Sequence, residues 1–267
     1  MTPTSAGLIS GPSGCLKARP WRNWQTRTVQ VRVPKGVVVR LHSGAPGLAG
    51  EQHECAHRIP SRCEMTNQLH HGDLPEAMDF GAEVAVDTEA MGLNPRRDRL
   101  CLVQLSAGDG DAHLIQFVPG GYGAPRLKRL LADPGVTKIF HFARFDLAML
   151  YHHLGVMAAP VYCTKIASRL VRTFTDRHGL RDLCKDLLNI DLSKQQQSSD
   201  WGAPNLSEEQ LRYAASDVLH LRALRSRLDA MLAREGREPL ARACFEFLPH
   251  RVLLDLEGWP EQDIFAH

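Results

Sequence analysis

The order of strand-like and helix-like segments after Met65 is the feature that most constrains the fold. Short apolar runs separated by Asn-Pro and glycine-rich turns predict three consecutive strands, as in an antiparallel meander. The predicted strands cover residues 83–87, 100–106, 112–117, 136–140 and 161–163, and the predicted helices cover residues 127–132, 144–154, 165–171, 180–188, 207–232 and 239–256. This order predicts an α/β domain in which helices flank a mixed five-stranded sheet.

The segment 207–232 carries the clearest helix signals. Ser207 and Gln210 have the spacing of a capping box. One apolar stripe then recurs at helical spacing, and its members are Leu211, Ala214, Val218, Leu221, Leu224, Leu228 and Met231. We predict a single long helix here.

Residues 1–64 differ from the rest of the chain. They are rich in Gly, Pro, Arg and Ser and lack extended periodicity, which favours disorder. With a suitable codon choice, residues 21–27, 27–33, 38–42 and 43–46 spell the D-arm, anticodon arm, T-arm and terminal CCA of a leucine transfer RNA gene. We therefore expect that the reading frame was started inside an upstream transfer RNA gene and that Met65 is the true start. A genuine disordered extension is the alternative.

Other bulk features narrow the class of protein. The cluster His53, Cys55, His57 and Cys63 has zinc-binding side chains, but its spacing fits no common zinc finger. The seven cysteines lack the regular spacing of a disulfide framework. Because neither a long apolar run nor a signal-peptide pattern is present, we expect a cytoplasmic protein that does not engage a membrane.

Net charge differs between the two parts of the chain. Residues 1–64 carry nine basic and three acidic side chains, so the remaining 203 residues carry 23 basic and 27 acidic ones. The second part is therefore mildly acidic. If it binds nucleic acid, local basic segments or bound cations must provide the attraction.

Two carboxylates follow the first apolar strand. Asp87 and Glu89 are two positions apart, so both side chains point to the same face of a strand. Two neighbouring carboxylates repel each other, and a bound divalent cation would remove that conflict. A pair of acids at a solvated strand end is the alternative.

Two further acids recur with characteristic neighbours. Asp146 ends the run Phe140-His141-Phe142-Ala143-Arg144-Phe145-Asp146, in the first turn of a predicted helix, where an acid also stabilises the helix dipole. Tyr213 and Asp217 are spaced by four, so they share one helix face. An ordinary surface Asp beside a Tyr at the edge of the core is the alternative for the second pair.

Taken in order, these motifs resemble one known superfamily. Asp-x-Glu, then His-x-x-x-Phe-Asp, then Tyr-x-x-x-Asp resembles the tyrosine-containing branch of the four-acid exonucleases, whose fold is ribonuclease H-like. The sister branch has a histidine five residues before the last Asp, where this chain has Arg212. The stretch 65–267 as a whole resembles the short bacterial ribonuclease D proteins.

The resemblance implies a two-metal-ion mechanism. The implied ligands of two Mg²⁺ or Mn²⁺ ions are Asp87, Glu89, Asp146 and Asp217, and hard oxygen ligands suit both metals. Asp87 would bridge the ions, and Tyr213 would position the attacking water. The implied reaction shortens single-stranded RNA from its 3′ end, as in processing of RNA, including transfer RNA, and releases nucleoside 5′-monophosphates.

Substrate contacts follow from the same resemblance. Met91 and Leu93 are expected to wedge against the terminal base, and His141 and Phe145 to contact the last nucleotides, although these last two side chains fit a protein core equally well. A basic stretch could guide the phosphate backbone, or could be a solvated helix face. Its members are Lys165, Arg169, Arg172, Arg177, His178 and Arg181.

Three other functions stay open at this point. A single-stranded DNA exonuclease would use the same acids, because no motif here reads the 2′-hydroxyl. A non-catalytic nucleic-acid-binding module would be expected to lose one or more of the acids. A structural or partner-binding protein predicts no metal dependence. The sequence leaves the oligomeric state open, a homodimer included.

Overall fold

The structure is a computed structural model, and it describes residues 67–76, 78–192 and 199–266. The strands are β1 (Asn67–His71), β2 (Glu83–Ala90), β3 (Leu100–Ser106), β4 (Ala112–Gln116), β5 (Thr137–Phe140) and β6 (Val161–Cys163). The helices are α1 (Pro125–Ala132), α2 (Ala143–Leu154), α3 (Thr164–Val171), α4 (Leu180–Leu183), α5 (Glu208–Leu219), α6 (Leu221–Arg234) and α7 (Glu238–Glu257). A π-helical turn, Cys184–Leu188, continues α4. The interpretation of residues 1–64 lies outside the described residues.

The strands form one mixed sheet in the order β1-β4-β3-β2-β5-β6. The central pairs β2–β3 and β3–β4 are antiparallel, whereas β1–β4, β2–β5 and β5–β6 are parallel. The predicted α/β class and mixed sheet are confirmed. The predicted number of five strands is wrong, because β1 adds a sixth at one edge. Its sequence, Asn-Gln-Leu-His-His, has no apolar run that would mark a strand.

The predicted long helix is two helices. The capping box of Ser207 and Gln210 is present and starts α5, but the helix ends at Leu219 and α6 begins at Leu221. His220 between them has φ −104° and ψ −5°, which interrupts the helix. The apolar stripe continues across this break, since Ala214, Val218 and Leu221 are all fully buried. Periodicity alone therefore did not reveal the break.

Two apolar cores cover the two faces of the sheet. Val84, Val86 and Val103 point into the core formed with α1, α2 and α7. Ala85 and Leu102 point into the opposite core, formed with α3, α5 and α6. Strand β2 therefore alternates between a face covered by α2 and a face covered by α5. No helix in the described part of the chain is long and apolar enough to cross a membrane.

Candidate metal centre

Strand β2 places two carboxylates on the face that α5 covers. The strand runs to Ala90, three residues beyond its predicted end, so Asp87 and Glu89 both lie within it. They pair with Gln104 and Leu102 of β3. Since alternate residues share a face, both carboxylates lie on the side of Ala85. The sequence prediction that Asp87 and Glu89 share one face is consistent with this register.

Helix α5 brings a third carboxylate to the same place. Carboxylate oxygens of Asp87, Glu89 and Asp217 all lie within 4.8 Å of one another. One turn earlier on α5, the Tyr213 hydroxyl donates a hydrogen bond to Asp217. The Tyr213 ring packs against Trp201, which is buried, with 6.1 Å between ring centroids. Three oxygen donors at this separation fit a hard divalent cation.

Asp146 approaches the cluster from the other side of β2. It lies in the first turn of α2 and its residue surface is only 3% exposed. The Thr88 hydroxyl donates a hydrogen bond of 2.7 Å to its Oδ1. Asp146 is not one of the three clustered carboxylates, yet its charge is close enough to raise the pKa of Asp87 and Glu89.

Burial raises the pKa of all four acids, and repulsion between carboxylates adds to the rise for Asp87, Glu89 and Asp146. Burial, followed by the charges of the other three acids, raises the pKa of Asp87 well above its ordinary value. Burial, followed by the charges of Asp217 and Asp146, raises the pKa of Glu89 to about 9. Burial raises the pKa of Asp146 and of Asp217 to about 7 each, against hydrogen bonds from Thr88 and Tyr213. A cation that neutralises the cluster would therefore be strongly favoured.

A cavity of about 350 Å³ opens over the cluster. Its lining combines the acids with aromatic and basic side chains: Asp87, Glu89, His141, Phe142, Lys165, Gly179, Leu180, Arg181, Asp182, Leu192, Tyr213 and Asp217. The His141 Nδ1 lies 2.9 Å from the Thr164 hydroxyl, and burial lowers the pKa of His141 to about 3. His141 is therefore neutral, and it lines the cavity beside the carboxylates.

Phe142 is a site residue that the sequence motif did not single out. It has φ 66°, in the left-handed region, and is 46% exposed although it immediately precedes α2. The Lys165 ammonium lies 4.1 Å from the centre of its ring. The aromatic run around Asp146 signals a stacking residue, but the positive φ that turns this ring outward is not visible in a sequence.

A second groove adjoins the first across Phe142. It has a volume of about 710 Å³, and both Leu93 and Phe145 line it. Leu93 is 85% exposed. Met91 is half exposed, and its sulfur lies against Gly202. The structure thus places Leu93 and Phe145 beside the cavity over the carboxylate cluster and not within its lining.

The basic stretch divides into two kinds of residue. Lys165 and Arg181 line the cavity over the carboxylate cluster. Arg172 is buried, forms an ion pair with Asp186 and donates a hydrogen bond to the Arg177 carbonyl. Its guanidinium therefore serves packing within the protein and is not exposed to a phosphate backbone. Arg177 is occupied by ion pairs with Asp182 and Asp186.

Comparison with known proteins identifies the family to which this fold and this cluster of acids belong. Residues 65–233 match the model of the 3′–5′ exonuclease family, and the chain belongs to that family. The resemblance to ribonuclease D proteins is confirmed. Over 154 residues the chain is 38% identical to ribonuclease D of Gluconacetobacter diazotrophicus, covering 58% of this chain and 39% of that protein. The chain thus spans well under half the length of this curated relative.

Two solved structures from Brucella melitensis match almost over their full length. NrnC bound to pGG is 57% identical with a TM-score of 0.74, covering 76% of this chain and 99% of that one. NrnC with bound Mg²⁺ is 56% identical with a TM-score of 0.73, covering 76% of this chain and 100% of that one. The ribonuclease D of Escherichia coli, 24% identical with a TM-score of 0.57, shares the fold.

Proposed function

We propose that this protein is a divalent-cation-dependent exoribonuclease that removes nucleotides from the 3′ end of single-stranded RNA, including transfer RNA. The observation that carries the proposal is the convergence of Asp87, Glu89 and Asp217 within 4.8 Å on one face of the sheet. Family membership and the similarity to NrnC with bound Mg²⁺ support the same conclusion.

Four carboxylates would hold the cations. Asp87, Glu89 and Asp217 form the clustered set, and Asp146 is the fourth acid, raising the pKa of Asp87 by its charge. Two Mg²⁺ or Mn²⁺ ions, when bound, would stabilise the charge on the attacking and leaving oxygens of an in-line displacement. The raised pKa values of these acids mean that the protein alone holds part of the cluster protonated near neutral pH.

Tyr213 would orient the attacking water as a hydrogen-bond donor. Burial and three neighbouring carboxylates raise the pKa of its phenol above the ordinary value. The phenol therefore keeps its proton at neutral pH, and it is suited to positioning rather than to proton abstraction.

The cavity lining suits the end of a polynucleotide. Lys165 and Arg181 supply positive charge beside the acids, and Phe142 offers an exposed ring on which a base can stack. His141 would contact the last nucleotides from within the cavity and Phe145 would contact them from the adjoining groove, whereas Met91 and Leu93 would wedge against the terminal base. The similarity to NrnC bound to pGG supports a nucleic-acid ligand here.

The test is cleavage of 5′-labelled single-stranded RNA by the full chain, with Mg²⁺, Mn²⁺ or EDTA. We expect a ladder that shortens from the 3′ end and disappears with EDTA or with either Asp87→Asn or Asp217→Asn. Asp176→Asn, the same change at an exposed loop position, is the matched control and should cleave like the wild type. No cleavage by the folded wild type with either cation would contradict the proposal. Faster cleavage of DNA of the same sequence would change the substrate class to single-stranded DNA.

A further inference from the structure

Gln104 of β3 lies directly opposite Asp87 of β2. The two residues are partners in the antiparallel ladder, so their side chains emerge on the same face. That face is the one that α5 covers and on which the carboxylate cluster lies. Cβ atoms of directly opposed residues are about 5 Å apart, which is within the reach of a glutamine side chain.

The Gln104 amide is buried without a hydrogen-bond partner. Its residue surface is 0% exposed, and neither Nε2 nor Oε1 has a partner among the described residues. Burying an amide in this state is unfavourable, because its polar groups have lost water and gained nothing in exchange. A buried position on an inner strand is usually filled better by an apolar side chain, so an unpaired amide opposite Asp87 calls for a function.

The acids of the cluster differ in the donors that hold them. Asp146 accepts a hydrogen bond from the Thr88 hydroxyl, and Asp217 accepts one from the Tyr213 hydroxyl. Asp87 has a backbone donor, the amide of Thr88, but no side-chain donor among the described residues. A carboxylate that lacks a side-chain donor therefore lies opposite a buried amide that lacks an acceptor.

We propose that Gln104 is a positioning residue for Asp87. Its Nε2 donates a hydrogen bond to the Asp87 carboxylate, directly or through one ordered water, when a cation draws that carboxylate into its coordinated orientation. The hydrogen bond fixes the carboxylate plane and lowers the entropy lost on cation binding. This inference rests on the proposed function, because it takes Asp87 as a metal ligand.

The test compares cation affinity, not only activity, in matched glutamine variants of the full chain. Gln104→Met keeps the size of the side chain and removes its hydrogen bonds. Gln116→Met makes the same change on β4, at a glutamine whose Nε2 already donates to the Ala203 carbonyl. Mn²⁺ binding is followed by electron paramagnetic resonance, and unfolding without metal by circular dichroism. We expect Gln104→Met to weaken Mn²⁺ binding about 10-fold or more and to leave metal-free stability equal or higher, while Gln116→Met binds Mn²⁺ like the wild type.

A second measurement uses the wild-type protein and does not depend on the folding of a variant. The side-chain amide signal of Gln104 in a ¹⁵N-labelled protein should move when Mg²⁺ is added, and that of Gln116 should not. Unchanged Mn²⁺ affinity in Gln104→Met, or a Gln104 amide signal that ignores Mg²⁺, would overturn the inference while the wild type still binds metal and cleaves RNA. A wild type that neither binds Mn²⁺ nor cleaves RNA would instead overturn the proposed function, and this inference with it.

Discussion

The Thr88 hydroxyl donates a 2.7 Å hydrogen bond to Asp146, although the two residues belong to different elements, β2 and α2. Thr88 lies between Asp87 and Glu89 but faces the opposite side of the sheet. One tripeptide of β2 therefore supplies two carboxylates to the α5 face and a hydrogen-bond donor to the acid on the α2 face. This arrangement ties the fourth acid to the strand that carries the first two.

Replacing Thr88 by valine should weaken catalysis without unfolding the protein. Thr88→Val keeps the shape of the side chain but removes the donor that lowers the pKa of Asp146. In the metal-free protein the pKa of Asp146 is about 7, and it should rise without this donor. Because protons compete with cations for this carboxylate, the acid limb of the pH–rate profile should move to higher pH. We expect RNA cleavage at neutral pH to fall about 10-fold or more. Thr88→Ser retains the hydroxyl and should keep most of the activity. A Thr88→Val profile that superimposes on that of the wild type would show that the hydrogen bond has no role in catalysis.

Replacing Tyr213 by phenylalanine should separate chemistry from cation binding. Tyr213→Phe removes the hydroxyl that donates to Asp217 and leaves the ring packed against Trp201. We expect kcat to fall about 100-fold or more, because a positioned polar group near the attacking water is lost. Mn²⁺ affinity should change far less, since all four carboxylates remain. Equal losses of Mn²⁺ affinity and kcat would show that Tyr213 acts by supporting the ligands instead.

The sequence predicted the acids because their spacing carries geometric information. Asp87 and Glu89 at a spacing of two, and Tyr213 and Asp217 at a spacing of four, each define one face of a known element. The α/β class followed from the order of apolar runs in the same way. In contrast, β1 escaped prediction because its residues are polar and its pairing with β4 is a long-range contact.

Other features depend on tertiary contacts that no local pattern encodes. The break at His220 leaves the apolar stripe unchanged, so periodicity gives no sign of it. Phe142 has a positive φ and an exposed ring. Arg172 is buried in an ion pair with Asp186, so it is not part of the exposed basic surface. Both depend on packing that forms only when the elements assemble.

Phe142 should contribute to substrate affinity. Phe142 lines both the cavity over the carboxylate cluster and the adjoining groove, and the Lys165 ammonium lies over its ring. We expect Phe142→Ala to raise the KM for single-stranded RNA about 10-fold, because stacking of a base on an aromatic ring contributes about 1–3 kcal/mol. Phe174→Ala, at another exposed phenylalanine, should leave KM unchanged. If the KM of Phe142→Ala equals that of Phe174→Ala and of the wild type, the ring at position 142 has no part in substrate binding.

Lys138 should be essential for stability and not for the reaction. This fully buried lysine of β5 donates to the carbonyl oxygens of Asp133, Val136 and Ala159 at 2.6, 2.7 and 2.5 Å. Lys138→Met would leave these buried acceptors without a donor, and we expect the free energy of unfolding to fall by about 3 kcal/mol. Urea unfolding at neutral pH measures the change. Lys128→Met, on the partly exposed surface of α1, should change the free energy of unfolding by less than about 0.5 kcal/mol. A Lys138→Met protein as stable as this control would contradict the role assigned to the three hydrogen bonds.

The stability of the metal-free protein should fall as pH rises, whereas the stabilisation that Mg²⁺ adds should grow. In the metal-free protein, the pKa is about 9 for Glu89 and about 7 for Asp146 and Asp217, all higher than the ordinary values that apply in the unfolded chain. The folded state then binds more protons than the unfolded state between about pH 4 and pH 9, so the free energy of unfolding falls as pH rises through this window. Mg²⁺ binds the deprotonated cluster, so the stabilisation it provides should grow over the same window.

Thermal unfolding at several pH values, with EDTA or with saturating Mg²⁺, measures both trends. The double variant Asp87→Asn/Asp217→Asn removes two of the repelling charges, and we expect it to flatten the metal-free pH dependence and to lose the response to Mg²⁺. A Tm difference between Mg²⁺ and EDTA that stays constant from acid to alkaline pH would show that these carboxylates do not titrate in the way their burial predicts.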